Sequence, residues 1–190
     1  LTFTGCDAAG CAALDGLVRF GSPGPIAVDH AIAPVADTAA DSGAISLVNV
    51  DPRASLVTLE ASIAIPSTTS AIDAVAFGLT ASTIASARVA PVIALVVSAS
   101  RGDVTLQVGG EIVEAAAAPT DGAYYPYTLT IGPSGVAHVS GPGGALDAHV
   151  ALPAQALHAI VFGRATNPGS TPATFPARIA SLGVHQRGCD

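Results

Sequence analysis

Apolar and polar residues alternate with a period of two along most of this chain. Val57-Thr58-Leu59-Glu60-Ala61-Ser62-Ile63-Ala64-Ile65 sets Val, Leu, Ala, Ile and Ile on one face and Thr, Glu, Ser and Ala on the other. That is the pattern of a strand buried on one side. Comparable runs cover 44–50, 74–80, 92–98, 104–108, 111–115, 127–131, 136–140, 145–152, 158–162 and 178–185. So many short strands between turn residues predict an all-β sandwich or barrel. Helix is confined to possible single turns at 82–87, 115–118 and 153–157. The Pro/Gly segments 21–25 and 167–176 read as loops, and with no linker or fixed-period repeat the expectation is a single domain over 1–190.

Two hairpins can be placed in register. Ser100-Arg101-Gly102-Asp103 joins 92–98 to 104–108 through a tight turn, and Gly141-Pro142-Gly143-Gly144 joins 136–140 to 145–150. A four-residue loop in the second sets Ser140 opposite Ala145, Val139 opposite Leu146 and His138 opposite Asp147. One side then sends Ala137, Val139, Leu146 and Ala148 to the core, while His138, Asp147 and His149 gather on the other.

The three cysteines, Cys6, Cys11 and Cys189, lie at the two ends of the chain. A bridge between the ends requires Cα atoms within roughly 7 Å, so the N- and C-terminal strands are expected to be adjacent in a closed antiparallel two-sheet β-sandwich. Cys189 pairs with Cys6 or Cys11 in this reading and one thiol is left over. Such a bridge places the protein outside the reducing cytosol, as an extracellular chain.

The strand order 56–65, Val75-Ala76-Phe77-Gly78-Leu79-Thr80, Tyr127-Thr128-Leu129-Thr130-Ile131, Gly135-Val136-Ala137-His138-Val139, Ile160-Val161-Phe162-Gly163 and Ala177-Arg178-Ile179-Ala180-Ser181-Leu182-Gly183-Val184 resembles the concanavalin A-like lectin/glucanase superfamily, above all its laminin-G-like jelly-roll domains. The resemblance implies a jelly roll whose last strand pairs with its first. It also implies a binding module of secreted or surface proteins.

Composition narrows the function. Charged residues are 11% of the chain against about 25% in an ordinary domain, Ala is about a fifth, and there is no Lys, Met or Trp. The net charge is −7 and the seven basic residues are scattered arginines, which argues against nucleic acid and anionic membranes as partners. No apolar run approaches the ~20 residues of a membrane span.

Glycosidic cleavage uses two carboxyl groups held about 5–9.5 Å apart. Glu60 has no acidic neighbour two or four positions away, and Glu111 and Glu114, three apart, point to opposite faces of a regular strand. Gly-x-Ser-x-Gly is absent. His138, Asp147 and His149 have the donor types for a divalent metal; the simpler reading is a solvated face with a His–Asp cross-strand pair. Asp37, Asp41 and Asp51 offer hard oxygens for calcium, which laminin-G-like domains carry on a loop rim, although Asp is also a common turn residue. Tyr124, Tyr125 and Tyr127 are all the tyrosines of the chain and supply a stacking surface for a ligand, or else enter the core. Arg101-Gly102-Asp103 spells an adhesive tripeptide and is equally a good turn.

The expectation is a non-catalytic extracellular module for binding or adhesion, its partner a glycan or surface ligand. The alternatives are a self-assembling, homo-oligomeric subunit of a fibre, shell or virion appendage, favoured by the sparse surface charge, and a glycan-active hydrolase with a dispersed site.

Overall fold

A computed structural model describes residues 2–4, 17–21, 26–28, 31–33, 35–36, 41–66, 74–81, 88–98, 101–164, 173–174 and 177–187. The period-two runs become strands. In the first half these are β1 (Thr2–Thr4), β2 (Leu17–Phe20), β3 (Ile26–Val28), β4 (Ala31–Ala33), β5 (Val35–Ala36), β6 (Ser42–Val50), β7 (Val57–Pro66) and β8 (Ala74–Thr80). The second half adds β9 (Pro91–Ser98), β10 (Asp103–Val108), β11 (Glu111–Ala117), β12 (Asp121–Ile131), β13 (Val136–Gly141), β14 (Gly144–His149), β15 (Leu157–Arg164), β16 (Ala173–Thr174) and β17 (Arg178–Gln186).

All pairings are antiparallel. An eight-stranded sheet runs β14-β13-β12-β7-β17-β4-β3, with β1 also on β17, and a seven-stranded sheet runs β11-β10-β9-β8-β15-β6-β2. The first and last strands are neighbours, as expected: Thr2, Phe3 and Thr4 lie opposite Gly183, Leu182 and Ser181. Cys6, Cys11 and Cys189 lie outside the described residues, as do 82–87 and Asp37.

The main core sits between the sheets. Leu59, Ile63, Leu129, Ile131, Val139 and Leu146 from the larger sheet meet Phe77, Leu79, Ile93, Leu95, Leu106 and Val161 from the smaller. A second buried cluster, including Ala74, Ala76, Ala94, Val96, Ile160 and Phe162, occupies the opposite face of the smaller sheet. Strand β8 is therefore buried along its whole length. Ala and Gly floor this second layer because adjacent backbones approach closely there. A Cβ on Gly78 would overlap the Ile93 carbonyl oxygen and come within 2.7 Å of Ala94 Cα.

The β13–β14 register is the expected one, with Ser140, Val139 and His138 opposite Ala145, Leu146 and Asp147. The loop is tighter than four residues, because Gly141 pairs with Gly144 around Pro142-Gly143. The hairpin tip rests on β11, since a Cβ on Gly143 would overlap the Ala117 carbonyl oxygen. The single turns expected at 115–118 and 153–157 are not helical: Ala115–Ala117 continue β11, and Leu157 opens β15. At Ala115–Ala117, strand pairing with β10 supplies the hydrogen bonds and overrides the helix propensity of alanine.

Candidate functional site

The tyrosines lie inside a strand. β12 starts at Asp121, so Tyr124, Tyr125 and Tyr127 oppose Ala64, Ile63 and Ala61 of β7. Alternation then divides them. Tyr127 is 2% exposed and belongs to the main core. Burial pushes its phenol up to about 12, with a smaller contribution from Tyr125. Tyr124 is 45% exposed. Tyr125, half-buried, donates its hydroxyl to Asp121 Oδ2 at 2.7 Å. Asp121 also accepts the Ala123 amide at 2.9 Å. These two bonds, the amide first, hold the carboxyl below its usual range, and the same carboxylate raises the Tyr125 phenol. The ring is thus fixed at one end by a charge-assisted bond.

Beside it lies a cleft of about 280 Å³ lined by Tyr125, Pro126, Thr128, Ser140, Gly141 and Pro142. Thr128 and Ser140 are cross-strand partners on the outer face of the larger sheet. Neither hydroxyl has a partner among the described residues. Both therefore face solvent with their donor and acceptors open. Of the three tyrosines, Tyr125 lines this cleft and Tyr127 supports it from the core. Pro126, Thr128, Ser140, Gly141 and Pro142 complete it. The cross-strand pairing Thr128–Ser140 is the signal that finds them, and it needs the β12–β13 register.

His138 and Asp147 pair as their register requires, with Nδ1 to Oδ1 at 2.7 Å, both well exposed. His149 stands opposite Val136 and lines a different cleft, of about 320 Å³, with Arg53, Ser134 and Leu152. Among the described residues no three His, Cys, Asp or Glu groups are placed to hold a metal ion. The three-ligand reading of His138, Asp147 and His149 therefore reduces to the ordinary cross-strand pair.

Of the three carboxylates expected for calcium, Asp37 lies outside the described residues and the other two are already engaged. Asp41 precedes β6 and Asp51 follows it, and the six steps of β15 between the partners of Ser42 and Val50 set them roughly 20 Å or more apart. They cannot share an ion. Asp41 is 2% exposed. It accepts Arg164 Nε at 3.0 Å and Nη2 at 2.7 Å, Arg88 Nη1 at 3.2 Å and the Val89 amide at 2.8 Å. Asp51 takes the Arg53 amide at 3.0 Å and its guanidinium at 2.9 and 2.8 Å, and that guanidinium holds its carboxyl below the usual range. Both oxygens of Asp41 and of Asp51 are occupied by these donors.

A bulge overturns one further expectation. Leu106 opposes Glu114 and Gln107 opposes Ile112, leaving Val113 as an extra residue. Glu111 and Glu114 consequently share a face, opposite Val108 and Leu106. Glu114 Oε2 accepts the Asp147 amide of β14, joining the two sheets along that edge. Neither glutamate lines either cleft. The Arg-Gly-Asp turn closes on itself, with Arg101 Nε 3.0 Å from Asp103 Oδ1.

No protein-family model and no curated protein matches the sequence. Solved structures do match. The exoplasmic/lumenal domain of VIP36, bound to Ca²⁺ and Man3GlcNAc, superposes with a TM-score of 0.68 at 10% identity, covering 95% of this chain and 88% of that one. The lectin of Bauhinia forficata in complex with GalNAc gives 0.66 at 13% identity, covering 98% of both chains. An alginate lyase of Pseudomonas aeruginosa gives 0.58 at 16% identity, covering 88% of both. The chain therefore shares the two-sheet jelly-roll fold of these lectins and of the lyase.

Proposed function

We propose that this protein is a non-catalytic, extracellular glycan-binding module and that the cleft between β12 and β13 receives a sugar. One observation carries the reading: a fixed tyrosine, a proline and two unpartnered hydroxyls converge on one small concavity. Pro126, on the same face as Thr128 and Ser140, supplies apolar contact for the C–H face of a ring, and Tyr125, packed against the main core, closes the cleft at its edge. Thr128 and Ser140 exchange hydrogen bonds with its hydroxyls. Because Asp121 already holds Tyr125, little side-chain entropy is lost on binding. The volume suits a single ring. The lectins that share the fold were solved with mannose-containing glycan or GalNAc bound, which supports a sugar as the ligand class.

Glycan-array binding compared between the wild type and Tyr125→Ala tests this. The expected result is binding to a subset of glycans that falls at least tenfold in the variant. Equal binding by the two, or no binding to any glycan, overturns the reading.

Self-association is a second reading, favoured by exposed aliphatic side chains on the edge strand β11 of the smaller sheet and on β6, next to its other edge. Ile112 and Val113 are 52% and 50% exposed on β11, and Leu47 and Val48 are 66% and 52% exposed on a bulge of β6. Light scattering across a concentration series tests it, with a constant monomer mass as the contrary result.

A further inference from the structure

We infer that the ligand is an oligosaccharide without acidic sugars, and that it crosses the strands from the cleft along the row Ser140–Thr128–Glu60 to the His185 side chain above Gly183. This rests on the glycan-binding reading and extends it from one sugar to a track.

The register builds the row. Ser140 on β13 opposes Thr128 on β12, Thr128 opposes Glu60 on β7, and Glu60 opposes Gly183 on β17. Three interstrand steps of ~4.8 Å give a path of about 14 Å, room for a trisaccharide. Rows of small polar side chains flank it. On one side lie Ser62 and Ser181, on the other Thr130 and Thr58, each pair in register across adjacent strands. The hydroxyls of Thr58, Ser62 and Ser181 have no partner among the described residues. Gly183 is buried beneath the side chains of Glu60 and His185, whose Oε2 and Nε2 would lie 3.6 and 3.2 Å from a Cβ there, so these two exposed side chains form the far end of the row.

Glu60 defines the ligand class. Its carboxylate is well exposed, with His185 Nε2 at 3.6 Å as a loose neighbour. It is free to accept hydrogen bonds from sugar hydroxyls, which strengthen when the acceptor is charged. The same charge repels a uronate placed above it. Asp121 behind Tyr125, and Asp147 and Glu114 beyond His138, have the same sign. Arg178 lies on the same face, opposite Ala64 and two register rows away.

Calorimetric titration with gluco-, manno- and N-acetylgluco-oligosaccharides of one to five units, alongside oligogalacturonates, tests the track. For the neutral series recognised, affinity is expected to rise about tenfold from one unit to three and then level off. Oligogalacturonates are expected to bind at least tenfold more weakly at low salt, and the penalty should shrink as salt is raised. Glu60→Ala, a change at an exposed position, should return the trisaccharide to monosaccharide affinity while leaving the monosaccharide within twofold. Glu60→Gln should reduce the discrimination against uronates. Monosaccharide binding with no gain from chain length, a gain that survives Glu60→Ala, or uronates bound as tightly as neutral sugars overturns the track but leaves the cleft standing. Failure of every sugar to bind overturns both.

Discussion

Replacing Asp41 by Asn should be among the most damaging single-atom changes available to this fold. The carboxylate is buried and ties three parts of the chain together. These are the start of β6, the end of β15 through Arg164, and the segment before β9 through Arg88 and the Val89 amide. Arg164 also donates to the Val89 carbonyl at 2.6 Å and lies over the Phe162 ring at 5.2 Å, so its position is shared between both bonds. Asn preserves shape but brings an NH2 group to one of two oxygen positions. Whichever it takes, a donor then faces a donor: the Val89 amide and Arg164 Nη2 on one side, or Arg164 Nε and Arg88 on the other. Removing one partner of a buried pair costs about 3–5 kcal/mol. The Arg164 and Arg88 side chains are 29% and 42% exposed and can turn partly to water, so the low end, about 3 kcal/mol, is expected. For a chain of this size that is a fall of about 6–12 °C in Tm. Urea unfolding gives the midpoint and slope, and the slope should be unchanged. A double-mutant cycle with Arg164→Leu should recover at least about 1 kcal/mol of coupling. A loss below about 1 kcal/mol for Asp41→Asn at unchanged slope, or strict additivity in the cycle, refutes the clamp.

Further outcomes follow from the same structure. Tyr127 ionises near 12 in the fold and near 10 when unfolded. The folded state therefore keeps a proton that the unfolded state releases. Stability should be intact below pH 10 and fall by about 1 kcal/mol per pH unit between 10 and 12, measured by urea unfolding beside tyrosinate absorbance; a full complement of tyrosinate near pH 10 in the folded protein contradicts it. Gly78→Ala should cost about 1–3 kcal/mol because the new methyl meets the β9 backbone and not a movable side chain, and wild-type stability would count against the close approach. For the disulfide, β1 leaves β17 at Ser181 whereas the chain continues to Arg187, about 20 Å along the strand. Two residues at each tail span at most about 7 Å, so Cys6 reaches Cys189 only if both tails double straight back. Cys11 has five more residues of reach. Peptide mapping after cleavage before Asp7, which separates the two cysteines, should show Cys11 joined to Cys189, and a Cys6–Cys189 peptide would refute that choice.

What could be read from sequence was whatever depends on alternation and short range. The span 57–65, the β13–β14 register and the adjacency of first and last strands follow from period two, glycine at a turn and the cysteine placement. The fate of Asp41 did not. Its partner Arg164 lies 123 residues away, and nothing local separates a clamped aspartate from a turn aspartate. The bulge at Val113 was equally hidden, because one inserted residue leaves composition unchanged while turning Glu111 and Glu114 to a common face. Tyr127 went to the core and Tyr125 to the cleft although both point the same way along β12. The difference is the covering strand: a Cβ on Gly141 would strike the Tyr127 ring, so that glycine lets the hairpin close over it. Thr128 and Ser140 looked like ordinary strand residues until β12 and β13 were set side by side.

The central claim, a sugar held between β12 and β13, is tested most directly by backbone amide chemical shifts during titration with the tightest-binding oligosaccharide from the array. The account predicts that the largest changes fall on Tyr125, Thr128, Ser140 and Gly141, with Glu60 and Gly183 following as the ligand lengthens. Changes centred instead on Asp41, Val89 and Arg164, on the far face of the smaller sheet, would contradict it.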